Sequence, residues 1–384
     1  MNARILSAEA GVDPADRLAA YLPPEALEAA RDAASVAMLA LDAPPPAAFA
    51  VAEELRARGA FARCDDLRLV VVAGGAALRA ARAAAHGEAA GVLDELLRAF
   101  EAGRTRPERL RLRAYDLDFT GGAKVMGILN VTPDSFSDGG LYVRSDAAIA
   151  HGLDMVAQGA DIIDVGGEST RPGAAPVPEE VELARVLPVI EALAGQVRVS
   201  IDTLKPEVAA AAVEAGASLV NDVSSSLFEV AASQNAAWAA VHMQGSPATM
   251  QVAPHYDNVV NEVFGYVLER ARTALKAGVE EVWVDPGIGF GKTMAHNLSL
   301  LHHLPELVRS AEATGCAGVM VGTSRKRFLG VLAAPGSDEP AGVGDRMEGS
   351  LATAALALVS GVSMVRVHDV SVTVQAARLY GPAA

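Results

Sequence analysis

Polar side chains that suit a charged ligand follow short apolar runs throughout the last two thirds of the chain. Arg171, Lys326, Arg366 and His368 carry N–H donors that match phosphate oxygens. Asn130 offers a neutral oxygen, which a hard cation that accompanies a diphosphate can use as a ligand. These residue types therefore predict a site for an anionic, phosphorylated ligand.

A second group of side chains suits the rest of such a ligand. Asp202, Asn221 and Asp285 can pair with the amino groups and ring nitrogens of a polar heterocycle. Glycine-rich segments, which let the backbone approach a ligand closely, stand beside them in DVGGES, DPGIGFGK and SFSDGG. The residues together favour a phosphorylated heterocycle bound with a divalent ion. They do not specify a reaction.

The elements that must position these groups form a regular series. Eight apolar runs alternate with amphipathic segments, which is typical of parallel strands covered by helices. Eight such units in roughly 250 residues match a closed (β/α)8 barrel, and their equal size with no evident switch point favours it over an open doubly wound sheet. The runs are VMGILNV, DIIDVGG, VRVSIDT, LVNDVS, AAVHMQ, VWVDPG, GVMVGTS and MVRVHDV.

In a barrel of this kind, the carboxyl ends of all the strands meet at one rim, where the chemistry takes place. Any one polar residue there is more often a hydrogen-bond partner or a helix cap, but burying so many without a ligand is costly. We therefore expect a polar cleft built from all eight loops. The rim residues are Asn130, Asp164, Glu168, Ser169, Thr170, Arg171, Asp202, Asn221, Asp222, His242, Gln244, Asp285, Ser324, Arg325, Lys326, Arg366, His368 and Asp369.

The first part of the chain has a different pattern. Apolar runs at 35–41 and 67–74 each precede a segment of helical period, and another helical segment follows. We expect a small α/β domain over 1–115 and the barrel over 116–384. The stretch 103–113, GRTRPERLRLR, contains five arginines and is predicted to be a charged linker or helix face.

Composition excludes several classes of protein. The 384 residues include 32 basic and 47 acidic side chains, and the net charge of −15 argues against non-specific nucleic-acid binding. No apolar run reaches the roughly 18 residues that span a bilayer, and the N-terminus lacks a signal-peptide pattern. We expect a cytoplasmic protein that does not bind membranes. Cys64 and Cys316 lack metal-site spacing and are expected to be reduced thiols.

Two motifs are set aside. GIGFGKT resembles the end of a nucleotide-binding P-loop, but Pro286 stands where that pattern requires its first glycine. His296, His302 and His303 lie on a predicted outer helix without carboxylate support, so we expect surface histidines rather than a metal site.

The motifs at the strand ends resemble those of the dihydropteroate synthase family, in the same order, from about Lys124 to the C-terminus. The motifs are MGILNVTPDSFSDGG, GADIIDVGGESTRPGA, SIDT, VNDVS, HMQGSPATMQ, DPGIGFGKTMAHNLSLL, SRK and RVHDV. The resemblance implies a transferase with a pterin-binding (β/α)8 barrel. It would condense 6-hydroxymethyl-7,8-dihydropterin diphosphate with p-aminobenzoate to give 7,8-dihydropteroate and diphosphate. Family members are typically homodimers.

The resemblance also implies roles for individual residues, of which Asp202, Lys326, Arg366 and His368 would be catalytic. The pterin pocket would comprise Asp202, Asn221, Asp285 and Lys326. Asn130 would lie beside Mg²⁺ and the diphosphate, whose other contacts would be Thr170, Arg171, Arg366 and His368. The p-aminobenzoate subsite, where sulfonamides compete, would include Phe290, Pro172 and Ser324.

Two departures from the family pattern carry predictions. The stretch from Asn221 to His242 is several residues shorter than usual, which predicts a short or reshaped fourth barrel helix. The first 115 residues resemble an α/β extension that some bacterial members carry. The main rival, a methyltetrahydrofolate methyltransferase, has no use for the diphosphate motifs STRPG, SRK and RVHDV. Their presence also argues against a non-catalytic pterin-binding protein.

Overall fold

The computed structural model describes residues 4–7, 37–42, 45–65, 68–73, 75–102, 109–112, 115–118, 122–132, 141–169, 176–334, 336 and 339–380. The chain divides into two compact units. The first comprises residues 1–106 and 305–315, and the second comprises residues 107–304 and 316–384.

The first unit is an antiparallel sheet with helices. Its strands are β1 (Arg4–Ser7), β2 (Ala37–Asp42), β3 (Phe61–Asp65) and β4 (Arg68–Ala73), in the order β1-β2-β4-β3. The helices are α1 (Pro45–Arg56), α2 (Gly75–Ala84) and α3 (Gly87–Ala102). Their apolar faces bury Leu55, Leu78 and Leu93 against Leu69 and Val71 of β4. The predicted strands correspond to β2 and β4, and β1 and β3 are additional.

The arginine-rich stretch 103–113 was predicted wrongly in part. Residues of that stretch form β5 (Arg109–Leu112), which pairs antiparallel with β6 (Tyr115–Asp118). The sequence Arg-Leu-Arg-Leu alternates with the period of two that is characteristic of a strand. The stretch was predicted from its five arginines, and this alternation was not used.

The second unit contains the predicted closed barrel of eight parallel strands. The last strand pairs with the first, which rules out an open sheet. The strands are β7 (Lys124–Asn130), β8 (Ile162–Gly166), β9 (Arg198–Asp202), β10 (Leu219–Asp222), β11 (Ala237–Val241), β12 (Val282–Asp285), β13 (Gly318–Val321) and β14 (Met364–Val367).

Helices follow the barrel strands along the chain, and the helix that contains residues 305–314 belongs to the first unit. They are α4 (Leu141–Ala157), α5 (Glu179–Leu193), α6 (Pro206–Glu214), α7 (Phe228–Ser233), α8 (Val259–Lys276), α9 (Met294–His302), α10 (Leu304–Thr314), α11 (Arg327–Ala333), α12 (Met347–Val359) and α13 (Val370–Tyr380). The fourth barrel helix, α7, has six residues, so the prediction of a short helix is confirmed. None of the described helices is long and apolar enough to cross a membrane.

The strand register brings polar residues to one level. Asn130 lies opposite Gly166, Gly166 opposite Asp202, and Asp202 opposite Asn221. Because side chains alternate between the two faces of a strand, residues at one level share the inside of the barrel or its mouth. The ends of β7, β9 and β10 therefore present Asn130, Asp202 and Asn221 together, and the polar residue of β8, Asp164, lies two residues before Gly166.

A buried ion pair lies at the amino-terminal end of the barrel strands. Arg198 Nη1 and Nη2 donate to the two carboxylate oxygens of Glu281 at 3.0 and 2.8 Å. The indole of Trp283 also donates to Glu281, and Arg198 Nε donates to Ser218 Oγ at 3.0 Å. This network lies at the beginnings of β9, β10 and β12, at the opposite end of the strands from the polar rim.

Some predicted positions shift. His242 and Gln244 follow β11 instead of lying on it, and His368 and Asp369 follow β14. Of the three histidines expected at the surface, His302 is exposed, whereas His296 and His303 are half-buried. His296 forms a capping box with Thr293 at the start of α9, which explains its position.

Candidate active site

Arg366 lies between two carboxylates at the mouth of the barrel. Its Nε donates to Asp164 Oδ2 at 2.5 Å, and its Nη2 donates to Asp202 Oδ2 at 2.7 Å. Asn221 Nδ2 donates to the same Asp164 oxygen at 3.0 Å. Four strands, β8, β9, β10 and β14, thus contribute to one hydrogen-bonded network.

The network leaves acceptors unused. Asp164 Oδ1, Asp202 Oδ1 and Asn221 Oδ1 are buried and have no hydrogen-bond partner within the described residues. Buried polar atoms are nearly always paired, so these three oxygens indicate a place for a ligand with N–H donors. This agrees with the expectation of a polar heterocycle.

The charges at the mouth are strongly coupled. Burial raises the pKa of Asp202 to about 7, although the Arg366 guanidinium opposes this shift. Burial disfavours the charge of Arg366, but the carboxylates of Asp164 and Asp202 outweigh that effect and raise its pKa. Arg366 therefore stays protonated, while Asp202 exchanges a proton near neutral pH.

Lys326 and Asp285 form the other side of the site. Burial raises the pKa of Asp285, with Lys326 opposing, and Asp285 Oδ1 accepts from the Gly287 amide at 2.7 Å. Burial lowers the pKa of Lys326 to about 8. Its amine donates to the Ile288 carbonyl and lies 3.8 Å from the centre of the Phe290 ring. The pairing of charge and aromatic face is a cation–π contact.

The loop after β12, residues 286–292, depends on glycine. Gly287 has a φ of +64°, and a Cβ there would stand 1.8 Å from the His242 carbonyl oxygen. Gly289 and Gly291 are also left-handed, at +87° and +61°. Lys292 closes the loop with its amine buried inside. In the sequence this lysine stands out only as part of the incomplete P-loop pattern, which does not indicate its internal role.

Two contacts join the loops after β13 and β14. Ser324 Oγ accepts from the His368 amide at 3.1 Å and lies 3.0 Å from His368 Nδ1. Arg325, which has a φ of +57°, donates to Asp369 through Nε and Nη2 at 3.2 and 2.6 Å. Ser324 and His368, predicted from separate motifs, are thus neighbours.

The loop after β8 begins with an ion cluster. Lys205 donates to both Glu168 and Glu182, and Thr203 Oγ1 donates to Glu182 Oε1 at 2.8 Å. No sequence motif indicates a role for Lys205 or Glu182. The predicted site residues Thr170, Arg171 and Pro172 lie outside the described residues.

Two rim residues differ in their surroundings. Asp222 holds the start of the following segment, because its carboxylate accepts from the amides of Ser226 and Leu227, each at 2.7 Å, and from Trp238 Nε1 at 3.1 Å. It is thus a structural residue. Asn130 is half-buried at the end of β7, beside Gly166 and Asp202.

The sequence of the barrel matches a known family. The model of the pterin binding enzyme family matches residues 126–368, from within β7 to just past β14. The dihydropteroate synthase of Escherichia coli K12 is 46% identical over 263 residues, which cover 66% of this chain and 89% of that protein. The chain belongs to the dihydropteroate synthase family.

Other dihydropteroate synthases support the same assignment. The enzyme of Mycobacterium leprae is 46% identical over 268 residues, covering 67% of this chain and 92% of that protein. Among solved structures, Xanthomonas albilineans dihydropteroate synthase with 4-aminobenzoic acid is 43% identical with a TM-score of 0.64, and the alignment covers 72% of this chain and 97% of that one. A Yersinia pestis dihydropteroate synthase in a sulfonamide drug complex is 42% identical with a TM-score of 0.63, covering 71% and 98%.

The predicted function, dihydropteroate synthesis, and the enzyme class, a transferase of folate biosynthesis, are therefore confirmed. So is the (β/α)8 barrel, which solved dihydropteroate synthases share. The family match begins at residue 126, so most of the first unit lies outside it.

Proposed function

We propose that the barrel mouth joins 6-hydroxymethyl-7,8-dihydropterin diphosphate to p-aminobenzoate, forming 7,8-dihydropteroate and releasing diphosphate. Solved relatives from Xanthomonas albilineans contain 4-aminobenzoic acid in one structure and 7,8-dihydropteroate in another. The observation that carries the proposal is the set of buried acceptors, Asp164 Oδ1, Asp202 Oδ1 and Asn221 Oδ1, beside the cations Arg366 and Lys326.

The pterin would occupy the acceptor side of the mouth. Its amino and ring N–H groups supply the donors that Asp202 Oδ1 and Asn221 Oδ1 have not received from the described residues. Asp285 offers a further carboxylate, and Lys326 is a donor for a ring nitrogen or a carbonyl oxygen. A site built to hydrogen-bond in this way discriminates strongly against ligands that leave these groups unpaired.

The diphosphate would lie near Arg366 and His368. Arg366 has five N–H groups and uses two of them on carboxylates, so it retains donors for phosphate oxygens. His368 follows β14 directly and is oriented by Ser324. Thr170 and Arg171 are assigned to the same group by their motif. Donors aimed at the leaving oxygens stabilise the negative charge that develops there.

The described residues fit Mg²⁺ only as an ion shared with the diphosphate. No group of three or more His, Cys, Asp and Glu residues in the described part of the chain is placed to hold a metal. Asn130 offers one amide oxygen, and Mg²⁺ commonly takes one or two protein ligands while the rest are water and substrate phosphate oxygens. When bound, the ion would neutralise charge on the leaving group.

The reaction is a substitution at the pterin methylene carbon. The C–O bond breaks and its electron pair leaves with the diphosphate, while the arylamine nitrogen forms the new C–N bond and gives up a proton to solvent. The Asp202 carboxylate would stabilise positive charge on the carbon, and Arg366 would stabilise the departing oxygens. Phe290, Ser324 and Pro172 would surround p-aminobenzoate, so that much of the rate comes from orientation.

The proposal also includes the cellular location, the oligomeric state and the roles of the two domains. The enzyme would act in the cytoplasm as a homodimer, which is typical of the family. Residues 116–384 would form the catalytic domain, and residues 1–115 would be an accessory α/β domain.

The test is release of diphosphate from the two substrates with Mg²⁺ and purified protein. We expect turnover by the full chain and a loss of at least about 100-fold in kcat/KM for Lys326→Met. Asp161→Asn is a matched control, because that carboxylate accepts from the Val125 amide at the other end of the barrel. No turnover by folded protein with intact substrates would refute the proposal.

A further inference from the structure

Lys292 is buried at the end of the loop after β12, and the proposed reaction gives it no task. Its side chain is 3% exposed. Its Nζ lies 2.9 Å from the Phe290 carbonyl oxygen, 3.0 Å from that of Gly287 and 3.3 Å from that of His242. The Nδ1 of His242 lies 3.0 Å away and is a fourth neighbour. A phosphate group could not reach an amine enclosed in this way.

The surroundings of Lys292 match a donor with several hydrogens. Burial lowers the pKa of its amine well below that of an exposed lysine. The acceptors around the amine replace the hydrogen bonds to water that burial removes. Burial and the nearby amine lower the pKa of His242 to about 3, so His242 is neutral and its Nδ1 can accept a hydrogen bond. The cluster therefore acts as an internal cross-link between the end of β11 and the loop.

The other side of the same loop faces Lys326. The Ile288 carbonyl accepts from Lys326, and the Phe290 ring lies beneath its amine. At Gly289 the backbone approaches Lys326 so closely that a Cβ would stand 2.7 Å from its Cδ. Lys292 binds the carbonyl oxygens of Gly287 and Phe290. Ile288 and Gly289, which contact Lys326, lie between these two residues.

We propose that Lys292 is a positioning residue, which sets the Phe290 ring and the Ile288 carbonyl against Lys326 and thereby shapes the p-aminobenzoate subsite. The inference rests on the proposed function, because Phe290 is assigned to that subsite there. Lys292 touches no substrate in this arrangement. Its effect reaches the reaction through the backbone of one loop.

The test combines substrate kinetics with a double-mutant cycle. Lys292→Met removes the donors and keeps a side chain of similar length. The KM for p-aminobenzoate should rise about tenfold or more, because Phe290 belongs to the loop itself. The KM for the pterin diphosphate should rise by a smaller factor, because the loop contacts Asp285 and Lys326 of the proposed pterin pocket while Asp202, Asn221 and Arg366 lie on other strands. In a Phe290→Ala background, the same substitution should change the KM for p-aminobenzoate much less, because the coupled group is already absent.

A second variant, His242→Phe, disturbs the cluster less and tests the inference if Lys292→Met does not fold. His242→Phe removes one acceptor of Lys292 and keeps a ring against Tyr256 and Tyr266. It should raise the KM for p-aminobenzoate in the same direction by a smaller factor, and again less in the Phe290→Ala background. Arg270→Met is the matched control, since Arg270 holds a different loop through the Ser225 carbonyl. It should lower thermal stability without a selective change in either KM.

The outcomes separate this inference from the proposed function. If the wild-type enzyme turns over but Lys292→Met and His242→Phe change both KM values equally, or act additively with Phe290→Ala, Lys292 is only a stabilising residue and the inference is wrong. If the wild-type enzyme does not turn over, the proposed function itself fails.

Discussion

Arg366 and Asp202 are joined by a 2.7 Å hydrogen bond, although 164 residues separate them in the sequence and two strands, β7 and β8, stand between theirs. The bond exists because the barrel closes, which brings β14 beside β7. Asp164 accepts from the same guanidinium, so one cation lies between two buried acidic side chains. The same two contacts therefore fix the position of the Arg366 side chain and determine the charge at the mouth.

Replacing Arg366 should harm both activity and stability. In Arg366→Ala, kcat/KM should fall by about 100-fold or more, because donors to the leaving group are lost. Removing one partner of a buried ion pair also destabilises a protein by about 3–5 kcal/mol. Steady-state kinetics and urea unfolding measure the two effects, with Arg270→Ala as a control away from the mouth. A variant that kept its activity and its affinity for the pterin diphosphate would refute the assigned role.

The raised pKa of Asp202 predicts a pH-dependent stability. In the unfolded chain an aspartate titrates near pH 4, whereas folded Asp202 titrates at about 7. The folded state therefore holds a proton that the unfolded state releases between these values, and Asp202 lowers the free energy of unfolding as pH rises from about 4 to 7. Asp202→Asn cannot release this proton, so its stability relative to the wild type should increase over the same interval.

Thermal unfolding of both proteins at pH 5 and pH 8 measures this difference. Asp257→Asn, at a fully exposed side chain, is the control. A stability difference between Asp202→Asn and the wild type that stayed constant or shrank with increasing pH would contradict the assignment. Activity of Asp202→Asn should be strongly reduced at either pH.

The sequence predicts those features of the site that depend on the period of apolar residues and on the order of the strands. Asp202 and Asn221 end adjacent parallel strands, so a common level follows from the barrel alone. The partners of Arg366 do not follow, because they depend on where the barrel closes and on side-chain reach across its interior. The motif assigned this arginine to diphosphate, and its pairing with Asp164 was not anticipated.

The buried lysines escaped prediction for a related reason. The acceptors of Lys292 are mainly backbone carbonyl oxygens. Because every residue has a backbone carbonyl, no pattern of side chains in the sequence indicates this contact. Lys205 meets Glu168 and Glu182 across two strand–helix connections. Such contacts are visible only once the chain has folded.

The loop glycines give a prediction with an internal control. Gly287→Ala would place a Cβ 1.8 Å from the His242 carbonyl oxygen at a φ of +64°, so the loop must move. We expect loss of several kcal/mol or failure to fold. Gly265→Ala should instead stabilise the protein by about 0.5–1 kcal/mol, because Gly265 lies within α8 with nothing within 4 Å of a Cβ. Urea unfolding compares them, and a Gly287→Ala variant as stable as the wild type would contradict the close approach.

The ion pair at the amino-terminal end of the barrel should matter for stability and not for catalysis. Glu281→Gln leaves Arg198 buried without its counter-charge, because Arg198 is 2% exposed, and should cost about 3–5 kcal/mol. Replacing both residues, as in Arg198→Met with Glu281→Met, should cost less than the sum of the single changes, since no unpaired charge remains. Chemical unfolding measures the free energies, and kinetics of the folded fraction should give wild-type KM values for both substrates. A selective change in either KM would mean that this end of the barrel influences the mouth.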